Sequence, residues 1–205
     1  MSANNKEQLA ALGELVQSTR QLIEQLVQIN APADTLYALK KQVDTINKQI
    51  AGLAQQQQRP IAHFNFELAT TETALTLPYS PVSGPFNPIA PPLKPHYDTK
   101  NRSLTASVTC NRVYEGPRHL VHGAVIAAIY DQLLALLTTC SGSPSHTAYL
   151  NVQYKKPTPL HQPLQFYAWI AEQQGRKTLI RGHCVVNNET VTEAEGLFIQ
   201  PGRSS

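Results

Sequence analysis

The run from Val125 to Leu137 constrains this chain more than any other stretch. It is preceded by Val121-His122-Gly123-Ala124, continues to about Thr139, and is apolar or small at almost every position. A helix of that composition must be buried along most of its surface, so the rest of the chain has to supply a layer that covers it. Two features do not suit a plain core helix. The His122-Gly123 pair stands at its mouth, where backbone N–H groups lack intrahelical acceptors. A single carboxylate, Asp131, sits two turns further in, where a charge costs free energy unless it is paired or used. Gly123 and Asp131 are eight residues apart. That is about 12 Å of helix at 1.5 Å per residue, too far for both to touch one small group easily.

The covering layer is readable downstream. Ser103–Cys110 has strand character, and an irregular segment to Leu120 leads into the helix. A Ser141-Gly142-Ser143-Pro144 break follows. Four β-rich runs then occupy roughly 146–155, 164–172, 177–187 and 190–200, joined through Lys156-Pro157-Thr158-Pro159, Gly175 and Asn187-Asn188. These connections are turn chemistry. One strand, one long apolar helix and a meander of four strands predict an α+β hotdog fold, an antiparallel sheet wrapped around a central helix.

The first half of the chain is different. Residues 5–57 predict two amphipathic helices, the first with Leu9, Leu12, Leu15, Val16, Leu22, Ile23, Leu26, Val27 and Ile29 at helical spacing. The second uses Leu36, Leu39, Val43, Ile46, Ile50 and Leu53, with Asp34 expected as its N-cap. An antiparallel helical hairpin is the simplest product, suited to packing or oligomerisation. Its polar face is rich in Gln and poor in Lys and Arg, which does not suit an anionic lipid surface. From Ile61 to about Lys100, seven prolines from Pro78 to Pro95 forbid a helix or a central strand. That stretch should drape over a domain and dock through Phe86, Ile89, Leu93 and Tyr97, with one short strand near Ala62–Leu68. The expected organisation is therefore a helical arm at 1–58, a proline-rich docking segment at 59–101 and a hotdog domain at 102–201.

Charge and cysteine content exclude several classes. The formal net charge is +3, and no Lys/Arg stripe with interleaved aromatics points to nucleic acid. Cys110, Cys140 and Cys184 are odd in number and lack CxxC spacing, which predicts reduced thiols in a cytosolic protein and no zinc site. No metal or organic cofactor is called for. No apolar run reaches the roughly 18 residues of a membrane span, and the start has no signal-peptide pattern.

Several motifs, in order, resemble one family. Gly116-Pro117, Val121-His122-Gly123-Ala124, Asp131, Thr147–Leu160 (TAYLNVQYKKPTPL), Gly175-Arg176-Lys177 and Glu193–Phe198 (EAEGLF) are similar to the hotdog acyl-CoA thioesterases of the PaaI type, nearest the THEM branch. The resemblance covers about residues 104–199. It implies that the Gly123 N–H meets the thioester carbonyl and that His122 supports the loop or contacts the thioester region. It implies further that Asp131 is the catalytic carboxylate and that Thr147 positions the attacking water. Two positions depart from the family pattern. Ala124 replaces a second glycine, and no Asn or Gln precedes the motif to share the oxyanion.

The chemistery implied is physically coherent. A thioester expels its thiolate with little acid help but needs a nucleophile and stabilisation of its carbonyl oxygen. Helix N-terminal amides supply the second, and Asp131 the first, as general base or as nucleophile. Two such helices packed antiparallel about a two-fold axis would bring Gly123 of one copy beside Asp131 of the other, with Ala127 and Ala128 allowing close approach. The expectation is a homo-oligomer, a dimer or a dimer of dimers, with composite sites for an acyl-CoA substrate. Lys155, Lys156, Arg176 and Lys177 are the cations available to coenzyme A phosphates. The competing readings are a non-catalytic module binding acyl-CoA or acyl-carrier protein, and a dehydratase acting on hydroxyacyl thioesters. His146, His183 and Cys140 are expected to be structural or surface residues.

Overall fold

The computed structural model describes residues 3–54 and 77–202, so the strand expected near Ala62–Leu68 lies outside the described residues. The chain divides into two compact units, the helical arm and the sheet unit. The arm consists of α1 (Ala3–Leu26) and α2 (Ala33–Ala54). Asp34 is not the cap of α2 but its second residue, where a carboxylate still complements the positive end of the helix dipole. Val16 is buried, but Leu36, Leu39, Ile46, Ile50 and Leu53 are each at least 39% exposed.

The sheet unit is one six-stranded antiparallel sheet around one long helix, the hotdog arrangement. Its strands are β1 (Lys94–Asp98), β2 (Ser103–Thr109), β3 (His146–Tyr154), β4 (Pro163–Gln174), β5 (Lys177–Val186) and β6 (Glu189–Ile199), in the spatial order β1-β2-β4-β5-β6-β3. β1 corrects the reading of the proline-rich stretch. It can form there because among the described residues it is an edge strand paired only to β2, so Pro95 removes no needed ladder hydrogen bond. Upstream of β1, Ala90 and Leu93 are buried as docking requires, whereas Ile89 is 54% exposed and Phe86 packs on Tyr79. Ser80 ties this segment to the helix, its Oγ donating to Gln132 Oε1 at 3.0 Å.

The central helix, α3 (Gly123–Cys140), buries Ile126, Ile129, Tyr130, Leu133, Leu134, Leu136 and Leu137 against the sheet. By length and composition alone it is apolar enough to cross a membrane, contrary to the expectation from the sequence. The sheet accounts for its apolar residues: Ile129, Leu134 and Leu137 are fully buried. Close approach needs a low point in the sheet. Ala168, Gly182 and Ala194 are register neighbours across β4, β5 and β6, and a Cβ on Gly182 would lie 3.4 Å from the Tyr130 ring and 2.7 Å from Tyr167 O. Tyr130 fills that space, with its ring edge on Phe166 and its hydroxyl 2.8 Å from Thr192 Oγ1. The hydrogen bond satisfies a phenol that would otherwise be stranded in the core.

The helix is not buried all round. Ala124 and Asp131 are exposed, and Gly123, Ala127 and Ala128 are half-buried. On the same side, β3 is the terminal strand of the sheet, and His146–Tyr149, Asn151, Gln153 and Tyr154 are exposed.

Candidate active site

The mouth of α3 is assembled by a loop rather than by charged side chains. Asn111 caps a 3₁₀ turn at Arg112–Tyr114 by accepting from Val113 N–H, and the Tyr114 carbonyl then accepts from His122 N–H at 2.9 Å. Gly116 is wedged beneath His122, where a Cβ would lie 2.8 Å from His122 Cα. The other wall comes from the KPTPL motif. The Thr158 carbonyl accepts from Val121 N–H at 2.9 Å, the His119 carbonyl accepts from Leu160 N–H at 3.0 Å, and Thr158 and Leu160 are buried. The motif residues around Pro157 and Pro159 thus build the wall that holds the helix entry.

His122 is the N-cap. Its Nδ1 accepts from Ala124 N–H at 3.0 Å, and this cap holds the first turn of the helix. This settles the consequence of Ala124: its N–H is retained, but His122 occupies it. The N–H of Gly123 has no acceptor among the described residues. It is an open donor at the positive end of α3. Among the described residues no Asn or Gln side chain joins it; Gly116 and Pro117 occupy the preceding loop, and Glu115 Oε1 accepts from His119 N–H at 2.7 Å.

A groove of about 330 Å³ opens beside this amide, with Pro117, Leu120, Val121, Ile126 and Tyr154 among its lining residues. Tyr154 went unnoticed as a site residue in the sequence. Its hydroxyl donates to the Gly123 carbonyl at 2.7 Å. Spacing gave no signal for it, because the partners lie 31 residues apart and meet only through the placement of β3.

Asp131 stands on the exposed side of α3, two turns in, and Thr147 joins it. Thr147 Oγ1 donates to Asp131 Oδ1 at 2.9 Å. A register shift between Thr147 and Tyr149 falls beside this contact, and such bulges re-aim side chains next to functional positions. One carboxylate oxygen is held, while the other, Oδ2, has no donor among the described residues. The chain therefore brings together two pairs, His122 with Gly123 and Asp131 with Thr147, at separate places along one helix.

The four cations are not gathered. Lys155 pairs with Glu193 and Lys156 with Glu189, both at the surface beyond Tyr154. Arg176 lies in the β4–β5 turn, its Nε donating to the Gln200 carbonyl at 2.8 Å, and Lys177 opens β5 opposite Ile199. Exposed pairs of this kind are weak, so Lys155 and Lys156 remain available to a stronger anion. His183 stacks on Tyr167 on the outer side of the sheet, and His146 is exposed. A depression of about 320 Å³ on that outer side includes Trp169, Arg181, His183, Glu193 and Glu195, but its two carboxylates are already engaged by Lys155 and Arg181. The three thiols are inert: burial pushes Cys110 and Cys184 up to about 12 and Cys140 up to about 11.

No family model matches the sequence. Acyl-coenzyme A thioesterase THEM4 of Bos taurus is 33% identical over 95 residues, which are 44% of this chain and 39% of that protein. The chain thus matches well under half the length of this curated relative. A crystal structure of a thioesterase superfamily protein superposes with a TM-score of 0.78 at 25% identity, covering 92% of this chain and 94% of the other. That coverage is too wide to come from the sheet unit alone, so the helical arm has a counterpart there. The chain therefore has the hotdog fold, shared over most of its length with a thioesterase superfamily protein, and is similar over 95 residues to an acyl-coenzyme A thioesterase.

Proposed function

We propose that the protein hydrolyses acyl-coenzyme A thioesters to a free acid and coenzyme A, in composite sites formed by two copies of the chain. The observation that carries this reading is the pairing, on one exposed helix side, of an unoccupied Gly123 N–H and a Thr147-held Asp131. The amide and the positive helix end receive the charge that develops on the carbonyl oxygen. Asp131 activates a water, or attacks the carbonyl carbon itself, through the oxygen that Thr147 leaves free. The likeness to an acyl-coenzyme A thioesterase supports the substrate class.

The eight-residue separation of Gly123 and Asp131 supports a site shared between copies. So does the edge of β3 beside the exposed side of α3, which is unpaired among the described residues, since such an edge invites a second strand. Gly123 and His122 then come from one copy, and Asp131 and Thr147 from the other. Lys155 and Lys156, next to the groove at the mouth, are the cations placed to meet the phosphates of coenzyme A.

Release of free thiol from a panel of acyl-CoAs tests the reaction, with Asp131→Asn as the comparison. Binding of acyl-CoA without turnover by the wild type would sink the hydrolytic reading in favour of a binding module. Mixing tests the composite site. Asp131→Asn chains and Gly123→Val chains, each inactive alone, should regain about a quarter of wild-type activity when refolded together, since half the dimers are mixed and each has one intact site. No recovery would mean that each site lies within one chain.

A further inference from the structure

β3 touches both chemically distinctive points of α3. Near its start, Thr147 holds Asp131 at 2.9 Å; at its end, Tyr154 holds the Gly123 carbonyl at 2.7 Å. The second contact is the less expected one. A Cβ on Gly123 would lie 3.4 Å from both Cζ and Oη of Tyr154, so the phenol rests directly over the glycine in van der Waals contact. The peptide between Gly123 and Ala124 is then gripped from both sides. Its carbonyl accepts from Tyr154 Oη, and its N–H donates to His122 Nδ1 at 3.0 Å.

Gly123 needs such a grip. It is the first residue of α3, it has no Cβ to restrict its backbone, and helix ends fray. Its own N–H has no acceptor to hold it in place. A donor that stabilises a developing oxyanion is effective only if its direction is set before the reaction. The cap from His122 and the bond to Tyr114 hold the mouth from its own loop. Tyr154 is the contact that comes from the sheet.

We propose that Tyr154 is a positioning residue, which fixes the Gly123–Ala124 peptide and so restricts the Gly123 backbone, keeping the Gly123 N–H of the preceding peptide aimed at the thioester oxygen. This inference rests on the hydrolytic reading above. Tyr154 reaches the reaction through Gly123, and its hydroxyl makes and breaks no covalent bond. Partial desolvation raises the phenol above its ordinary value, so the hydroxyl stays a donor at ordinary assay pH. Because the same strand carries Thr147, β3 sets the aim of the amide at one end and of the carboxylate at the other.

The test is Tyr154→Phe in the full-length chain, which keeps the ring over Gly123 and removes only the hydroxyl. Steady-state kinetics on an acyl-CoA that the wild type turns over should show kcat reduced about tenfold with KM within about twofold, the signature of a lost transition-state contact. Amide exchange at Ala124 and Val125, whose N–H groups are bonded to His122, should quicken by a similar factor when read by NMR, while core amides of α3 stay protected. Wild-type kcat together with wild-type exchange at these two residues overturns the proposal. So does a rise in KM with kcat unchanged, which would make Tyr154 a substrate-binding residue. A second variant, Tyr154→Leu, should exchange at least as fast as Tyr154→Phe. If the wild type itself releases no thiol, the hydrolytic reading fails, and the exchange rates still decide whether Tyr154 holds the mouth.

Discussion

The two points of α3 that matter for chemistry are built in opposite ways. At Asp131 the functional group is a side chain, exposed and held by a single neighbour, Thr147. At Gly123 it is a backbone N–H, and its surroundings draw on Tyr114, Gly116, His122, Tyr154 and Thr158. A carboxylate can be placed by choosing one residue on a rigid helix. An amide cannot be moved without moving the chain, so its direction depends on every segment that packs against the helix entry. Changes at the Asp131 end should therefore act on chemistry alone, and changes at the mouth on chemistry and stability together.

The largest effect should come from Asp131→Asn. It preserves size and the acceptor for Thr147 but removes the base or nucleophile, so kcat should fall by about 10²–10⁴. Because Asp131 is exposed, the melting temperature should stay within a degree or two of wild type, roughly the scatter expected of a surface change. A variant that loses activity only by unfolding would break the comparison.

Gly116→Ala probes the other end without touching any reacting group. Its new Cβ would meet a backbone atom, His122 Cα, at 2.8 Å, and a backbone atom cannot rotate away. Overpacking of this kind costs about 1–3 kcal/mol, measurable by urea unfolding. The displaced mouth should lower kcat by about ten- to a hundredfold. Loss of activity with unchanged stability would show that the mouth is not the tightly packed structure described here. Thr147→Val sharpens the contrast, since it keeps the shape of the side chain and removes the donor to Asp131. A fall of about tenfold in kcat with little change in stability is the expected result, in line with one hydrogen bond to a charged group.

Much of this was readable from residue patterns, and the reasons differ by element. The apolar run of α3 and the alternation in β2, β4, β5 and β6 show directly in burial, because a sheet with one covered side imposes a period of two. β1 was missed because prolines outweigh everything else in its neighbourhood, yet an edge strand tolerates them. Asp34 lies two positions inside its expected cap position because the helix already begins at Ala33. The sequence puts Ala127 and Ala128 on a face of α3 that meets a second copy, and the structure leaves them half-buried and Ala124 exposed. Ala124 is small, and smallness alone does not say whether a residue faces a core or solvent. The ordered motifs give Asp131 and Thr147 their roles, while Gly116 and Tyr154 lie in the same motifs without one. Their roles depend on which strand lies over the helix mouth and which loop lies under it, and no local period encodes that.

Ala124→Gly should have the smallest effect and separates the two kinds of site construction most finely. It restores the second glycine of the family pattern, so a view based on motif alone expects a gain in activity. The geometry gives no reason for one. The N–H of residue 124 is present in either case and is already taken by His122 Nδ1. The methyl group of Ala124 is exposed, so its removal opens no buried space toward the Gly123 amide. What glycine does change is backbone freedom in the first turn, at a cost of up to about 1 kcal/mol relative to alanine. A modest drop in stability and a kcat within about threefold of wild type are therefore expected, the latter being under 1 kcal/mol in the barrier. Should kcat instead rise tenfold, the methyl group would be obstructing the thioester, and the mouth would be shaped by side chains after all. The contrast between a carboxylate set by one neighbour and an amide set by its whole surroundings would then fail at the end where it matters more.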